Sequence, residues 1–206
     1  MHQYIEHLIY TELTRKNVSN VLKKLRRLDW NDKDINTFAI KTLSSAWNIK
    51  YDNIPALASL LSNLSQNRSQ TVLMVMDTIL ENIRIGMQMN SLEYNQRRIA
   101  TIKYFAECFN YNLFDSTLLF NIMYSLLLYG VDYNDLSKST MDSPFNLIRF
   151  RLVAQILHIC GHFLLSPVAK KKLDFFLLFF QVRKFFRFSN FHQKKRFYFL
   201  LFLFLL

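Results

Sequence analysis

Glycine and proline are almost missing from this chain. Gly86, Gly130 and Gly161, with Pro55, Pro144 and Pro167, are the only examples in 206 residues. Helix interiors tolerate neither residue, so their scarcity favours helices over strands and tight turns. Three isolated glycines also cannot build a phosphate-cradling loop. No G-x-x-x-x-G-K, G-x-G-x-x-G or G-x-S-x-G occurs, which removes the common nucleotide-binding and hydrolase signatures. Cysteine is scarce too. Cys108 and Cys160 form no C-x-x-C pair, nothing suggests a secreted disulfide scaffold, and a reduced, intracellular setting fits best. No apolar run approaches the roughly 20 residues that a membrane-spanning helix needs. The longest is Phe197 to Leu206, and His2, Glu6 and His7 interrupt any leader-like run at the N-terminus.

What is present is a chain that is 51% hydrophobic and of a length that fits one domain. Its formal net charge is +11, which invites a nucleic-acid or anionic-surface reading. The excess is uneven. Residues 1–181 hold twenty basic and fifteen acidic residues, whereas residues 182–206 hold six basic and none acidic. The body is therefore only mildly basic.

Apolar residues recur at helical spacing along the body. Ile5, Leu8, Ile9 and Leu13 form the first stripe, and Val18, Val21, Leu22, Leu25 and Leu28 the second. Asp32 or Asp34 is positioned to cap a third helix carrying Ile35, Phe38, Ala39, Leu43 and Trp47. Ile54, Leu57, Leu60, Leu61 and Leu64 mark the fourth. The fifth begins near a capping Ser69, carries Val72, Val75, Met76, Ile79, Leu80 and Ile83, and stops or kinks at Gly86. Ile99, Ile102, Phe105, Ala106 and Phe109 mark the sixth. Asp115 or Ser116 caps the seventh (Leu118, Leu119, Ile122, Met123, Leu126), which ends near Gly130. A polar loop over 131–143 leads to Pro144 at the start of an eighth helix with Leu147, Ile148, Leu152, Ile156 and Leu157. Pro167 breaks the chain, and Leu173 to Phe180 opens a ninth helix, apolar nearly all round and so expected to be buried. Short joints between antiparallel helices predict an all-α fold of stacked, HEAT-like helical hairpins.

Candidate chemistry is sparse. His158 and His162 stand one helical turn apart, a spacing that metal sites use. However, Ile159 occupies the position where a zincin carries Glu, so an ordinary helix end is the better reading. No metal, cofactor or enzymatic activity is expected. Lys23, Lys24, Arg26 and Arg27 form a basic cluster, and Asn95-Gln96-Arg97-Arg98 a shorter one. The first reads as a solvated face with potential RNA affinity, the second as structural. The fifth helix is more informative. Asp77 and Glu81 are i and i+4, and Gln88 follows Asp77 by eleven residues. If the helix runs past Gly86, these three fall within about 40° of one another, with Arg84 on the same side. This is a small acidic stripe. It serves either as a solvated face or as a docking strip for a basic partner.

Several strings then stand together: Leu28-Asp29-Trp30, Ala46 to Tyr51 (AWNIKY), Asp77 to Met89 (DTILENIRIGMQM), Tyr94 to Ile99 (YNQRRI), Phe109-Asn110-Tyr111, Tyr129-Gly130-Val131, Arg149 to Val153 (RFRLV), Cys160-Gly161 and Lys172 to Leu177 (KLDFFL). In this order and spacing, the chain from about residue 4 to Gln181 resembles a middle domain of the initiation factor 4G type. It resembles in particular the third such domain of the scaffold family of nonsense-mediated mRNA decay. The resemblance implies a crescent of helical hairpins with no catalytic role and a cytoplasmic, in part perinuclear, location. It implies docking of the RNA-recognition-motif domain of the third up-frameshift protein, whose basic residues would meet Asp77 and Glu81, with Arg84 and Gln88 in the same strip. Gln88 stands where the family commonly has Glu, so one charge is lost. Contact with RNA, and with a large phosphatidylinositol-kinase-like protein kinase, is implied without assignable residues. The apolar anchors of the interface are not assigned either, and no membrane contact is expected.

The family pattern is expected to leave the chain after Gln181, making residues 1–181 a partial middle domain, incomplete at its C-terminus. Val182 to Leu206 is mostly Phe, Leu, Lys and Arg without capping logic. Gln181-Val182-Arg183 is what a splice-donor sequence yields when translated in frame, so the tail is read as a retained intron. A spliced message that keeps these codons would sink that hypothesis. The rival is a membrane-surface anchor of basic and aromatic residues, which liposome binding lost on deleting residues 182–206 would support.

Overall fold

The computed structural model describes residues 1–89, 91–129 and 148–189. The expected stop at Gly130, the loop over 131–143, Pro144 and Leu147 lie outside these residues, as do positions 190–206.

No strand occurs among the described residues. Helix α1 (His2–Glu6) continues as a π-helical segment, His7–Glu12. There follow α2 (Val18–Arg26), α3 (Lys33–Ser44), α4 (Ile54–Ser65), α5 (Ser69–Gln88), α6 (Tyr94–Asn110), α7 (Ser116–Leu128), α8 (Ile148–Leu164) and α9 (Pro167–Ser189). Two short 3-10 turns, Ala46–Asn48 and Tyr51–Asn53, join α3 to α4.

The helices stack in two layers. In one, α1 packs on α3, α3 on α5, and α7 on α9; in the other, α2 packs on α4, α4 on α6, and α6 on α8. Contacts of α5 with α4 and α6, and of α8 with α7 and α9, tie the layers together. This is the expected HEAT-like, all-α stack of hairpins. The apolar stripes face inward as periodicity demands. Ile5, Leu8, Ile9, Leu25, Leu43, Ile54, Leu57, Leu60, Leu61 and Leu64 are fully or almost fully buried.

Local signals explain the joints. Asp32 caps α3 by accepting from the Asp34 N–H at 2.9 Å. After α6, Asn112 takes a left-handed φ of 57°, a conformation that Asn tolerates better than most residues. It allows the Leu113 N–H to reach the Cys108 carbonyl and the Asn112 N–H to reach that of Phe109, the paired bonds of a Schellman end. The chain reverses there, and Asp115 opens α7 by accepting from the Leu118 N–H at 3.2 Å.

Four local expectations fail. Gly86 neither stops nor kinks α5, which runs on to Gln88. Gly86 is buried where α6 crosses, and a Cβ there would sit 3.3 Å from Cγ of Arg98. Ser69 lies inside α5, whose N-cap is Arg68 without a side-chain cap bond. Pro167 does break the chain, since α8 ends at Leu164, but α9 begins at Pro167 itself rather than near Leu173 and runs on to Ser189. Finally, α9 is not buried all round. Leu173 and Phe176 face the core, Phe176 edge-on to Tyr124 at 5.0 Å, while Phe175 and Leu178 are exposed.

Candidate functional site

The core side of α5 is set by Val72, Val75, Met76, Ile79, Ile83 and Gly86, all buried. At about 100° per residue the opposite side centres on Gln88. Asp77, Glu81, Arg84 and Gln88 are all exposed there. The structure therefore brings the four sequence-selected residues onto one solvent-facing strip, because α5 stays helical through Gly86.

The charges are not equivalent. Arg84 grips Glu81 with two hydrogen bonds, Nε to Oε2 at 2.9 Å and an amino nitrogen to Oε1 at 2.8 Å. That bond holds the Glu81 carboxyl below its ordinary pKa and raises that of Arg84. Both groups are solvent-exposed, so the pair adds little stability. Asp77 has no ion-pair partner among the described residues. A basic ligand would meet Asp77 directly and would compete with Arg84 for Glu81.

Apolar side chains on the same strip were not foreseen. Leu73 is 55% exposed, Met74 42% and Ile85 37%. On the helical wheel Leu73 lies about 40° to one side of Asp77, and Met74 and Ile85 about 20–40° beyond Glu81 on the other. The acids thus run between two apolar edges. Phase was the available signal: these residues are out of register with the Val72–Val75–Ile79 stripe.

The neighbouring basic run is structural. The Arg97 guanidinium lies over Trp47, 3.7 Å from the ring centre, faces Tyr94 at 5.6 Å, and donates to Oδ1 of Asn82 on α5 at 2.9 Å. The stem of Arg98 packs at Gly86 and its guanidinium donates to Asn95 at 3.1 Å. In the α2 cluster Lys24 pairs with Glu12 at 2.7 Å, while Lys23, Arg26 and Arg27 are exposed. His158 and His162 point to solvent, whereas Cys160 is buried and donates its thiol to the Ala106 carbonyl at 3.3 Å. Burial pushes that thiol up to about 12. Among the described residues no group of three His, Cys, Asp or Glu side chains could hold a metal ion. Among them, too, no helix is long and apolar enough to cross a membrane.

Comparison with known proteins agrees with the helical stack. The family described as "MIF4G domain" matches residues 7–203. The chain is 36% identical over 181 residues to the human Regulator of nonsense transcripts 2, covering 88% of this chain and 14% of that protein. The Arabidopsis thaliana Regulator of nonsense transcripts UPF2 is 35% identical over the same length. The Saccharomyces cerevisiae Nonsense-mediated mRNA decay protein 2 is 30% identical over 158 residues, covering 75% of this chain and 14% of that protein. The chain thus spans about a seventh of the length of these curated relatives. By its family match, its similarity to these proteins and its two-layered helical stack, the chain belongs to the MIF4G domain family.

Proposed function

We infer that this chain is a non-enzymatic scaffold module of nonsense-mediated mRNA decay. In this reading it docks the RNA-recognition-motif domain of the third up-frameshift protein on the outer face of α5, in the cytoplasm. The observation that carries it is the coincidence of Asp77, Glu81, Arg84 and Gln88 on one exposed strip, at the position the family resemblance marks for a basic partner. The names of the relatives supply the pathway. Charge at such a strip mainly speeds association and fixes register.

Calorimetry of the chain with that domain, alongside the Asp77→Lys/Glu81→Lys variant, tests the reading. Binding by the native chain and its loss on charge reversal are expected. A folded variant that binds as well as the native chain would overturn the site.

RNA contact is a second reading, favoured by the exposed Lys23, Arg26 and Arg27 on α2. An RNA affinity that falls steeply with salt in the absence of protein partners would support it. The large phosphatidylinositol-kinase-like kinase is a further candidate partner, to which no residue is assigned.

A further inference from the structure

Large apolar side chains on a solvated helix face are ordinary when scattered singly, and acquire meaning when they cluster around polar recognition groups. On α5 they cluster. Leu73, Met74 and Ile85 border the strip of Asp77, Glu81 and Gln88, and Met89 extends the same side just past the helix end. Met74 and Ile85 are eleven residues apart, so helical rise separates them by about 16 Å along one edge. Elsewhere on α5 the apolar residues are buried or partly buried in the core. Among the described residues, Leu73 and Met74 belong neither to the buried core nor to the apolar side chains packed against it.

We propose that Leu73, Met74 and Ile85 are the apolar anchors of this strip, gripping a folded partner domain whose basic row is bordered by apolar side chains. The proposal rests on the docking reading above and adds to it a division of labour. Charge complementarity argues for the occupant. Asp77 in the middle of the strip selects a cation, and the two apolar edges require that cation to be carried on a surface with greasy flanks. A highly charged tail or a nucleic-acid backbone offers no such flanks. The acids then govern how fast the partner arrives, and the three apolar side chains govern how long it stays, since a few well-packed, desolvated side chains carry most of an interface's energy and their loss shows mainly in dissociation.

The test is a rate measurement. The chain is presented to the recognition-motif domain, and association and dissociation are followed for the native protein, Leu73→Ala/Met74→Ala, Ile85→Ala and Asp77→Lys. Phe175→Ala, an exposed aromatic on α9, serves as control. Alanine favours helix, so these variants keep the fold, which circular dichroism checks. The expected result is dissociation faster by roughly tenfold or more in Leu73→Ala/Met74→Ala, with association changed by less than about twofold. Ile85→Ala shifts the same way by less. Asp77→Lys slows association and weakens its salt dependence. Phe175→Ala matches the native protein. If the apolar variants bind like the native chain while Asp77→Lys still slows association, the anchors are refuted and the docking reading stands. If neither class of variant alters binding, the docking reading itself falls. If the chain self-associates and only the apolar variants disperse it, the strip is covered by a second copy and the proposal is overturned.

Discussion

Arg97 and Trp47 are stacked, with the guanidinium carbon 3.7 Å from the centre of the indole ring. The stack fixes the loop after α3 against α6, and the same guanidinium reaches across to Asn82 on α5. Three elements therefore depend on one cation. Arg97→Ala is expected to lower stability by about 1–2 kcal/mol, from the lost stack and the unmade bond to Asn82. Arg97→Lys should recover only part, because an ammonium cannot lie flat on the ring and donate sideways at once. Urea unfolding of the three proteins measures both.

Gly86 of α5 sits against the side-chain stem of Arg98 on α6. An added Cβ would meet Cγ of Arg98 at 3.3 Å, a contact that a small shift of a flexible side chain relieves. The helix propensity gained with Ala is about 1 kcal/mol. Gly86→Ala should therefore be close to neutral in stability. Gly86→Leu presses a larger side chain against the Arg98 stem and should cost about 1–3 kcal/mol by overpacking. Thermal melts of the two variants distinguish a packing glycine from a helix-ending one, for which both substitutions would strain the backbone.

Arg84 restrains the strip it belongs to. Its two bonds to Glu81 cancel one of the two negative charges facing solvent. Arg84→Ala is expected to leave the melting temperature almost unchanged and to speed association with a basic domain by roughly two- to fivefold at low salt. Gln88→Glu should act in the same direction by adding a carboxylate at the centre of the strip. Stopped-flow association rates at two ionic strengths check both. Slower association in Arg84→Ala would mean that Arg84 itself touches the partner.

The cap of α7 titrates. Bonds from the Leu118 N–H and the Thr117 hydroxyl hold the Asp115 carboxyl below its ordinary range. A depressed carboxyl contributes stability above the unfolded-state pKa, which is near 3.9, and that contribution is lost as pH falls through the lower folded value. Asp115→Ala should lower the melting temperature at pH 7, with the deficit shrinking as the solution is acidified. Asp115→Asn keeps an acceptor for the cap and should melt nearly as the native chain does, with a shallower acid dependence. Melting curves between pH 2 and pH 7 test the sign.

Much of this fold was legible because helical periodicity reports burial directly. The stripes through Ile5, Leu25, Leu57 and Ile102 face the core as their spacing requires. Caps were legible where an acid precedes an apolar run, as at Asp32 and Asp115. Gly86 was not, since a glycine that ends a helix and one that admits a crossing side chain look alike in one dimension. The ninth helix hid its faces for a different reason: with Phe and Leu all round, its composition carries no phase, and only packing on α7 decides that Phe176 goes in and Phe175 stays out. The strip of Asp77, Glu81, Arg84 and Gln88 was readable as geometry. Its apolar borders show only in the helical phase, because Leu73 and Met74 sit between core residues Val72 and Val75 and merge with them in any average over a window.

Helix α6 is in contact with α4, α5, α7 and α8, and this has a consequence for how the molecule breathes. In a stack where each hairpin touches only its neighbours, opening begins at the ends and travels inward one hairpin at a time. Amide protons of α6, such as those around the buried Tyr104 and Phe105, should then exchange only in the rarest fluctuations, long after those of α1 have done so. The strip on α5 lies on a helix packed against α6, α4 and α3, and is expected to share that protection. If a partner docks on that strip, it would meet a helix held in place by its neighbours and find little backbone there to order, so little of its binding energy would be diverted into folding.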